Sequence, residues 1–443
     1  MARTEPARGM RDFLPEDVRR REYVIGIITR TYERYGFEPL ETPAVENLET
    51  LRGKYGEEGN QLIYKILKRG EHEATGQADL ALRYDLTVPL ARVIAHHQSK
   101  LPRLFRRYQI QPVWRADRPA RGRFREFYQC DVDALGSTSP VIEADLCAAV
   151  SDALVALGFS DFTIRLNHRQ LLTSVLNARG IPEPLHGTAL VAVDKLDKIG
   201  ADGVKKEMEE RGIAPASAQG LLDAFEFLRN EPPASRSVLL ENEPLGTAAL
   251  ENLAAMLHLM EGTSAAGRIR FDPSLARGLS YYTGAIMEIN VADLAGSLGG
   301  GGRYDNLVGM FLGDSIPACG FSLGLERILV VMGERGMFPP SLATTPADVM
   351  VAVFDAADVA HAMRVAAGLR AAGLRVLVYP DADKIGKQIK YADSRGIPRV
   401  ALLGSDEIAA GTVTVKHLAG KTQHTYDQAA AGAAILEDLK HRG

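Results

Sequence analysis

A chain of 443 residues with 46% hydrophobic and 24% charged side chains is too long for one ordinary core and too apolar for disorder, so two or three globular domains are expected. A formal net charge of −4 argues against a protein that coats nucleic acid nonspecifically, because phosphate neutralisation drives such binding. No apolar run reaches the length of about eighteen residues that a membrane helix needs, and the first residues lack the apolar core of a secretory signal; a cytoplasmic enzyme or binding protein with no membrane partner is expected.

Taken in chain order, residues 15–35 predict a helix, with Val18, Tyr23, Ile27, Ile28 and Tyr32 near helical spacing and Gly36 as its stop. The extended run 37–45 contains Pro39 and Pro43, which confine it to a sheet edge or an interface. A short strand at 79–84 leads through residues 85–89 into a helix with Pro89 in its first turn. Residues 110–115 and 124–133 read as two strands, and 116–123, broken by Pro119 and Gly122, as the bend between them. Helices are expected at 140–157 and 168–179. The stretch 168–260 is helical and charged, without a strand pattern, and has the texture of an insertion. Strands return at 269–271, 281–291 and 318–322, the last running into a helix that begins at 323–327. Residues 339–346 are proline-rich and form a candidate linker. Beyond them strand and helix alternate to the end, which predicts a small α/β domain with a largely parallel sheet. It carries no glycine-rich dinucleotide turn and no Walker lysine loop.

Chemistry is suggested first by the hairpin. Residues 101–130 hold eight arginines, at 103, 106, 107, 115, 118, 121, 123 and 125, against Asp117 and Glu126. Such an excess repels itself unless anions are present, and arginine favours bidentate phosphate or carboxylate recognition. Arg115, Arg121 and Arg123 could hold phosphates while Phe127 covers a base. Gln129, Asp131 and Asp133 share one strand face by period two, which puts an amide and two carboxylates in one pocket. The alternative is an exposed basic loop with solvated acids beyond it.

The segment 275–284 places Arg277 beside Tyr281 and Tyr282, a cation with two phenols suited to a small polar or anionic ligand, or else a strand with half-buried tyrosines. The glycine run 299–302, before Arg303 and Asp305, reads as a flexible turn or as a close backbone approach. Arg327 opens a helix, where guanidinium and helix dipole could face one anion, or is simply a surface residue. His96, His97 and His168 lack metal-ligand spacing. Cys130, Cys147 and Cys319 are odd in number and far apart, which predicts free, buried thiols. No serine or cysteine nucleophile motif stands out, so positioning and charge stabilisation are the expected source of catalysis.

Together these segments resemble class II aminoacyl-tRNA synthetases, and specifically the histidyl-tRNA synthetase family. Residues 115–129, Arg-Ala-Asp-Arg-Pro-Ala-Arg-Gly-Arg-Phe-Arg-Glu-Phe-Tyr-Gln, are similar to the class II motif 2 hairpin, residues 321–327, Phe-Ser-Leu-Gly-Leu-Glu-Arg, to motif 3, and the stretch around Pro43 to the motif 1 dimer segment. Residues 275–284, Leu-Ala-Arg-Gly-Leu-Ser-Tyr-Tyr-Thr-Gly, and 301–305, Gly-Gly-Arg-Tyr-Asp, resemble the histidine-specific signatures.

The resemblance implies a multidomain α/β protein: an antiparallel class II sheet flanked by helices, a helical insertion and a C-terminal α/β anticodon-binding domain. Its parts would be a catalytic domain in two pieces, 1–167 and 261–335, an insertion at 168–260, a linker at 336–346 and the anticodon domain at 347–443. It implies ATP-dependent activation of L-histidine and transfer to tRNA(His) by a homodimer, with Mg²⁺ whose ligands are not assigned.

Residue by residue, Asp85, Thr87 and Gln129, with Leu86 between the first two, match positions around the histidine α-amino group. Asp133 and Tyr282 match the positions that read the imidazole, and Tyr281 is expected among the histidine-binding residues. Arg115, Arg123, Phe127 and Arg327 match the ATP site, Phe127 as the ring stacked on adenine. Arg277 matches the family arginine that contacts the histidine carboxylate and the α-phosphate, and with Arg115 it is expected to be catalytic.

Two positions depart from the family: Ser280 where Asp is common, and Ala120 where bacterial members tend to have glutamine near the tRNA end. Residues 83–87, Arg-Tyr-Asp-Leu-Thr, and 127–131, Phe-Tyr-Gln-Cys-Asp, are closer to the eukaryotic branch. The alternative is a histidine-sensing regulatory paralogue of a phosphoribosyltransferase. Such proteins lack the anticodon domain and erode the ATP arginines, whereas this chain keeps 347–443 and Arg115, Arg277 and Arg327.

Overall fold

The computed structural model describes residues 4–70, 75–231, 233–276, 281–339, 342 and 345–441. The chain falls into two compact units, built mainly on Arg20–Met337 and on Phe338–Gly443.

The first unit is organised by an eight-stranded sheet. Across it the order is Glu38–Pro39, Phe105–Trp114, Glu126–Leu135, Ala318–Gly324, Ser297–Arg303, Ala285–Asn290, Thr163–His168 and Ile269–Phe271. The inner pairings are antiparallel and the outermost pair on each side is parallel. Glu38–Pro39 sits at an edge, where the missing proline N–H breaks no ladder. The run expected at 37–45 is interrupted there and resumes as Val45–Asn47 in a separate three-stranded sheet with Ala78–Leu82 and Lys65–Leu67.

Helix Pro15–Arg34 buries Val24, Ile27, Ile28, Thr31 and Tyr32, one stripe at helical spacing, and Tyr32 donates to Cys130 O at 3.4 Å. Helix Val141–Ala156 is buried on most sides, its alanines 144, 148 and 149 allowing close approach to neighbouring elements. Helices Arg169–Ala178, Glu183–Val193, Leu196–Glu210, Pro215–Asn230 and Pro244–Met260 make up the middle of the chain. Cys130, Cys147 and Cys319 are free and buried.

Further expectations are corrected in this unit. Residues 299–302 are not a turn: they lie within the Ser297–Arg303 strand, paired on both sides in the middle of the sheet. Thr163–His168 is a strand where no element is expected from the sequence, and it takes in His168, the first residue of the helix expected at 168–179.

The second unit holds a five-stranded sheet in the order Val376–Val378, Val349–Val351, Arg399–Leu402, Thr412–His417 and Thr422–Asp427. The first two pairings are parallel and the last two antiparallel, so the sheet is mixed rather than largely parallel. The reason is local: short connections after Leu402 leave no room for a crossover and return the chain as antiparallel neighbours. Val349, Val351, Ala366, Leu369, Ala401 and Ile435 form its core with helices Val359–Ala371 and Gln428–His441.

Candidate active site

The sheet register builds a cleft. Arg107, Asp133, Gly320 and Gly302 stand opposite one another in one row across four strands, and Gln109, Asp131, Ser322 and Gly300 in the next. Residues two apart on a strand share a face, so both rows open on the same side. Glycines at 300, 302 and 320 leave the middle of the sheet bare, with acids and a guanidinium to one side. The space has uses: a Cβ on Gly320 would lie 1.9 Å from Asp133 Oδ1, and one on Gly302 would lie 2.9 Å from the Tyr282 ring. Thr87, Asp131, Asp133, Tyr282, Tyr304 and Ser322 line the cleft.

Asp133 is buried and held from two sides. Arg107 Nη2 lies 2.9 Å from its Oδ2, and the Tyr304 hydroxyl donates to its Oδ1. The Arg107 contact is an ion pair without hydrogen-bond alignment; among the described residues, Asp133 Oδ2 and Gln129 Oε1 are buried acceptors that receive no hydrogen bond. Such atoms are costly to bury unless a donor reaches them. Arg107 also bonds Gln109 Oε1 at 3.1 Å and Leu86 O at 3.4 Å and lies 4.0 Å from Asp131 Oδ2. Burial pushes the Asp131 carboxyl up to about 7; Arg107 opposes the rise and the Asp133 charge adds to it. Asp133 is also raised by burial, against Arg107 and the Tyr304 hydroxyl.

Asp85 precedes helix Thr87–His97 and accepts the Val88 N–H at 3.1 Å, satisfying one of the helix's open donors. The same oxygen accepts Tyr55 Oη at 2.9 Å, and its partner accepts Tyr281 Oη at 3.4 Å. Burial raises the Asp85 carboxyl, with Arg115 the largest opposing influence. Thr87 is hydrogen-bonded to Tyr281, whose ring meets that of Tyr282 edge-on at 5.1 Å. Leu86 turns into the core and contributes its carbonyl to Arg107.

Arg115 stands between this wall and the hairpin. Its Nε donates to Tyr84 O at 2.9 Å, and its guanidinium lies 4.3 Å from the Tyr84 ring and 5.2 Å from that of Phe127. The hairpin bend folds against motif-like residues at the end of the sheet: a Cβ on Gly122 would sit 3.2 Å from Arg327 Cγ. Arg327, in the first turn of helix Leu325–Glu334, donates to Ser297 O. Arg123 pairs with Asp117 at 2.8 Å, and Arg121 pairs with Glu334 and donates to Asp293 O at 2.9 Å. Glu326 is buried, accepts the Tyr128 N–H at 3.0 Å, and has its carboxyl pushed up to about 7 by burial.

The structure thus gathers Thr87, Gln129, Asp133 and Tyr282 around one cleft, with Asp85 and Tyr281 bonded to its Thr87 wall, and brings Arg115 to Phe127 and Arg327 to the hairpin bend. Arg277 and Ser280 lie outside the described residues. Sequence reasoning missed Tyr55, Arg107, Tyr304 and Ser322 as site residues. Extending the hairpin pairing back from its bend sets Arg107 opposite Asp133, a signal available once the strand is recognised as starting at Phe105.

Residues 9–328 match the histidyl-tRNA synthetase family model, and residues 348–438 the anticodon-binding domain model. A histidine–tRNA ligase of Cytophaga hutchinsonii is 40% identical, the match covering 95% of this chain and 97% of that protein. One of Gloeobacter violaceus is also 40% identical, with 98% of each chain covered. The crystal structure of histidyl-tRNA synthetase from Nostoc superposes with a TM-score of 0.81 at 32% identity, covering 99% of this chain and all of that one. The family model over residues 9–328, the likeness to ligases over nearly the whole length and the shared fold agree: the chain belongs to the histidyl-tRNA synthetase family.

Proposed function

We propose that this protein is a histidine–tRNA ligase that activates L-histidine with ATP and transfers it to the 3′ end of tRNA(His). The observation that carries the reading is the cleft beside the glycine strand, lined by Asp133 and Tyr282, where among the described residues Asp133 Oδ2 meets Arg107 as an ion pair but receives no hydrogen bond, and Gln129 Oε1 is a second such buried acceptor on the same strand face. An imidazole N–H and an ammonium supply such donors. Asp133 takes one ring nitrogen and Tyr282 the other, since a carboxylate accepts while a phenol can do either. Asp85, Thr87 and Gln129 receive the α-amino group, with Leu86 fixing the loop and Tyr281 closing the wall.

Arg115, Arg123 and Arg327 bind the ATP phosphates and Phe127 stacks on adenine. The histidine carboxylate attacks the α-phosphorus, a new O–P bond forms and pyrophosphate leaves. Charge grows on the α-phosphate oxygens, and a guanidinium already fixed in place stabilises it without reorganisation. Arg115 is assigned this role on its anchored geometry, and Arg277 on the family resemblance. The tRNA hydroxyl then attacks the adenylate carbonyl and AMP departs. Mg²⁺ belongs to the same reading as the counter-ion of the ATP phosphates, with no protein ligand assigned to it.

A homodimer, a cytoplasmic location and the division into catalytic pieces 1–167 and 261–335, insertion 168–260, linker 336–346 and anticodon domain 347–443 belong to the same reading. No described helix is long and apolar enough to cross a membrane. Against a histidine-sensing paralogue stands the chain's likeness to ligases over both family regions, with Arg115 kept beside Phe127 and Arg327 beside the hairpin bend. Charging of tRNA(His) transcript with labelled histidine tests this: ATP-dependent acid-precipitable label is expected, and histidine binding without any charging would favour the sensor.

A further inference from the structure

The ring cleft holds two buried carboxylates against one guanidinium, and the family reading uses only Asp133. Asp131 lines the same cleft and is not satisfied in the same way. Arg107 Nη2 lies 2.9 Å from Asp133 but 4.0 Å from Asp131, and Tyr304 donates to Asp133 alone. Asp131 has a hydrogen bond with Ser322 and the Gln129 amide at 3.4 Å. Of the two acids, Asp133 is therefore the one whose charge is compensated, and Asp131 is the one that can carry a proton at modest cost.

Other groups act on Asp131 from every side. Gln109 is its register partner on one neighbouring strand and Ser322 on the other. Asp85 adds negative charge from the loop before helix Thr87–His97, and Arg83 lies within electrostatic reach. The phenols of Tyr32, on the first helix, and Tyr282 are raised further above their already basic values, so they remain protonated at neutral pH.

With both acids ionised, Arg107, Asp131 and Asp133 together carry one negative charge, which an imidazolium neutralises. With Asp131 protonated the trio is neutral and suits the uncharged ring. Both occupied forms hold the same number of protons, and burial disfavours any form with one more or one fewer. We propose that Asp131 is a specificity residue of the ring cleft: it takes up a proton when histidine binds with a neutral ring and releases it when the ring arrives charged. The occupied cleft then stays neutral on either side of the ring's own titration. Arg107 is the positioning residue that makes the two carboxylates unequal. This inference rests on the reading of the cleft as the histidine side-chain site.

Calorimetric binding of histidine to the full chain at pH 8, in buffers of different ionisation enthalpy, reads the proton directly. Uptake approaching one proton per histidine is expected at pH 8, and release at pH 5.5, below the free ring's value of about 6.5. Asp131→Asn should abolish the uptake. In histidine-dependent ATP–pyrophosphate exchange, the wild-type KM for histidine should rise about tenfold per pH unit above neutrality, and the variant's should stay flat. No proton uptake by the wild type, or an Asn variant with the wild-type slope, overturns the proposal. The wild-type measurement stands even if the variant does not fold. Absence of any histidine-dependent exchange or binding would instead overturn the functional reading beneath it.

Discussion

Gly320 stands directly opposite Asp133 on the neighbouring strand, and a Cβ added there would lie 1.9 Å from the Asp133 carboxylate. The site therefore depends on a missing side chain as much as on a present one. Gly320→Ala should displace the carboxylate from Tyr304 and raise the KM for histidine by about tenfold or more, the scale of one displaced polar contact. Titration of histidine in pyrophosphate exchange checks this, and an unchanged KM would mean that Asp133 does not read the ligand.

Tyr304 donates to Asp133 from a fully buried position. Tyr304→Phe keeps the ring and removes the donor, leaving a buried carboxylate less satisfied. A loss of about 1–3 kcal/mol in stability is expected, with a weaker affinity for histidine and a smaller change in the KM for ATP. Denaturant unfolding and steady-state kinetics measure the two effects separately.

Arg115 is anchored by Tyr84 O at 2.9 Å and framed by the Tyr84 and Phe127 rings. Arg115→Ala should lower kcat for exchange by about two to three orders of magnitude, as for loss of a preorganised charge donor. Histidine binding measured without ATP should change much less. Arg115→Lys should restore little, because a point charge lacks the planar fork. Equal losses in binding and rate would show that Arg115 holds the site together rather than stabilising developing charge.

Glu326 offers a test of stability. Its folded value of about 7 lies above that of an exposed glutamate, so between the two values the folded state binds the extra proton. Stability then falls as pH rises through this window, by on the order of 3 kcal/mol in all. Glu326→Gln removes the titration while retaining an acceptor for the Tyr128 N–H. The variant should match the wild type at pH 5 and melt higher at pH 8; thermal unfolding at the two pH values decides it.

Much of this architecture is written in local pattern. Helix Pro15–Arg34 follows from its apolar spacing, and the hairpin from two β-rich runs around Pro119 and Gly122. The face shared by Gln129, Asp131 and Asp133 follows from strand period. The glycine strand did not follow, because Gly299 to Gly302 carry neither β-propensity nor an apolar pattern. Their strand state is imposed by neighbours on both sides, and their lack of side chains is what opens the cleft. Arg107 belongs by sequence to a basic run, yet it is fully buried; the cross-strand register reveals that its partner is an acid. The mixed sheet of the second unit departs from the parallel pattern for a related reason: alternation of elements does not show which strands return at once.

Selection of histidine by this cleft is decided by ATP–pyrophosphate exchange with the purified protein, run separately with each of the common amino acids. Exchange is expected with histidine and only background with the others, including glutamine and asparagine as neutral polar competitors. Exchange driven by another amino acid, with histidine at background, would contradict it.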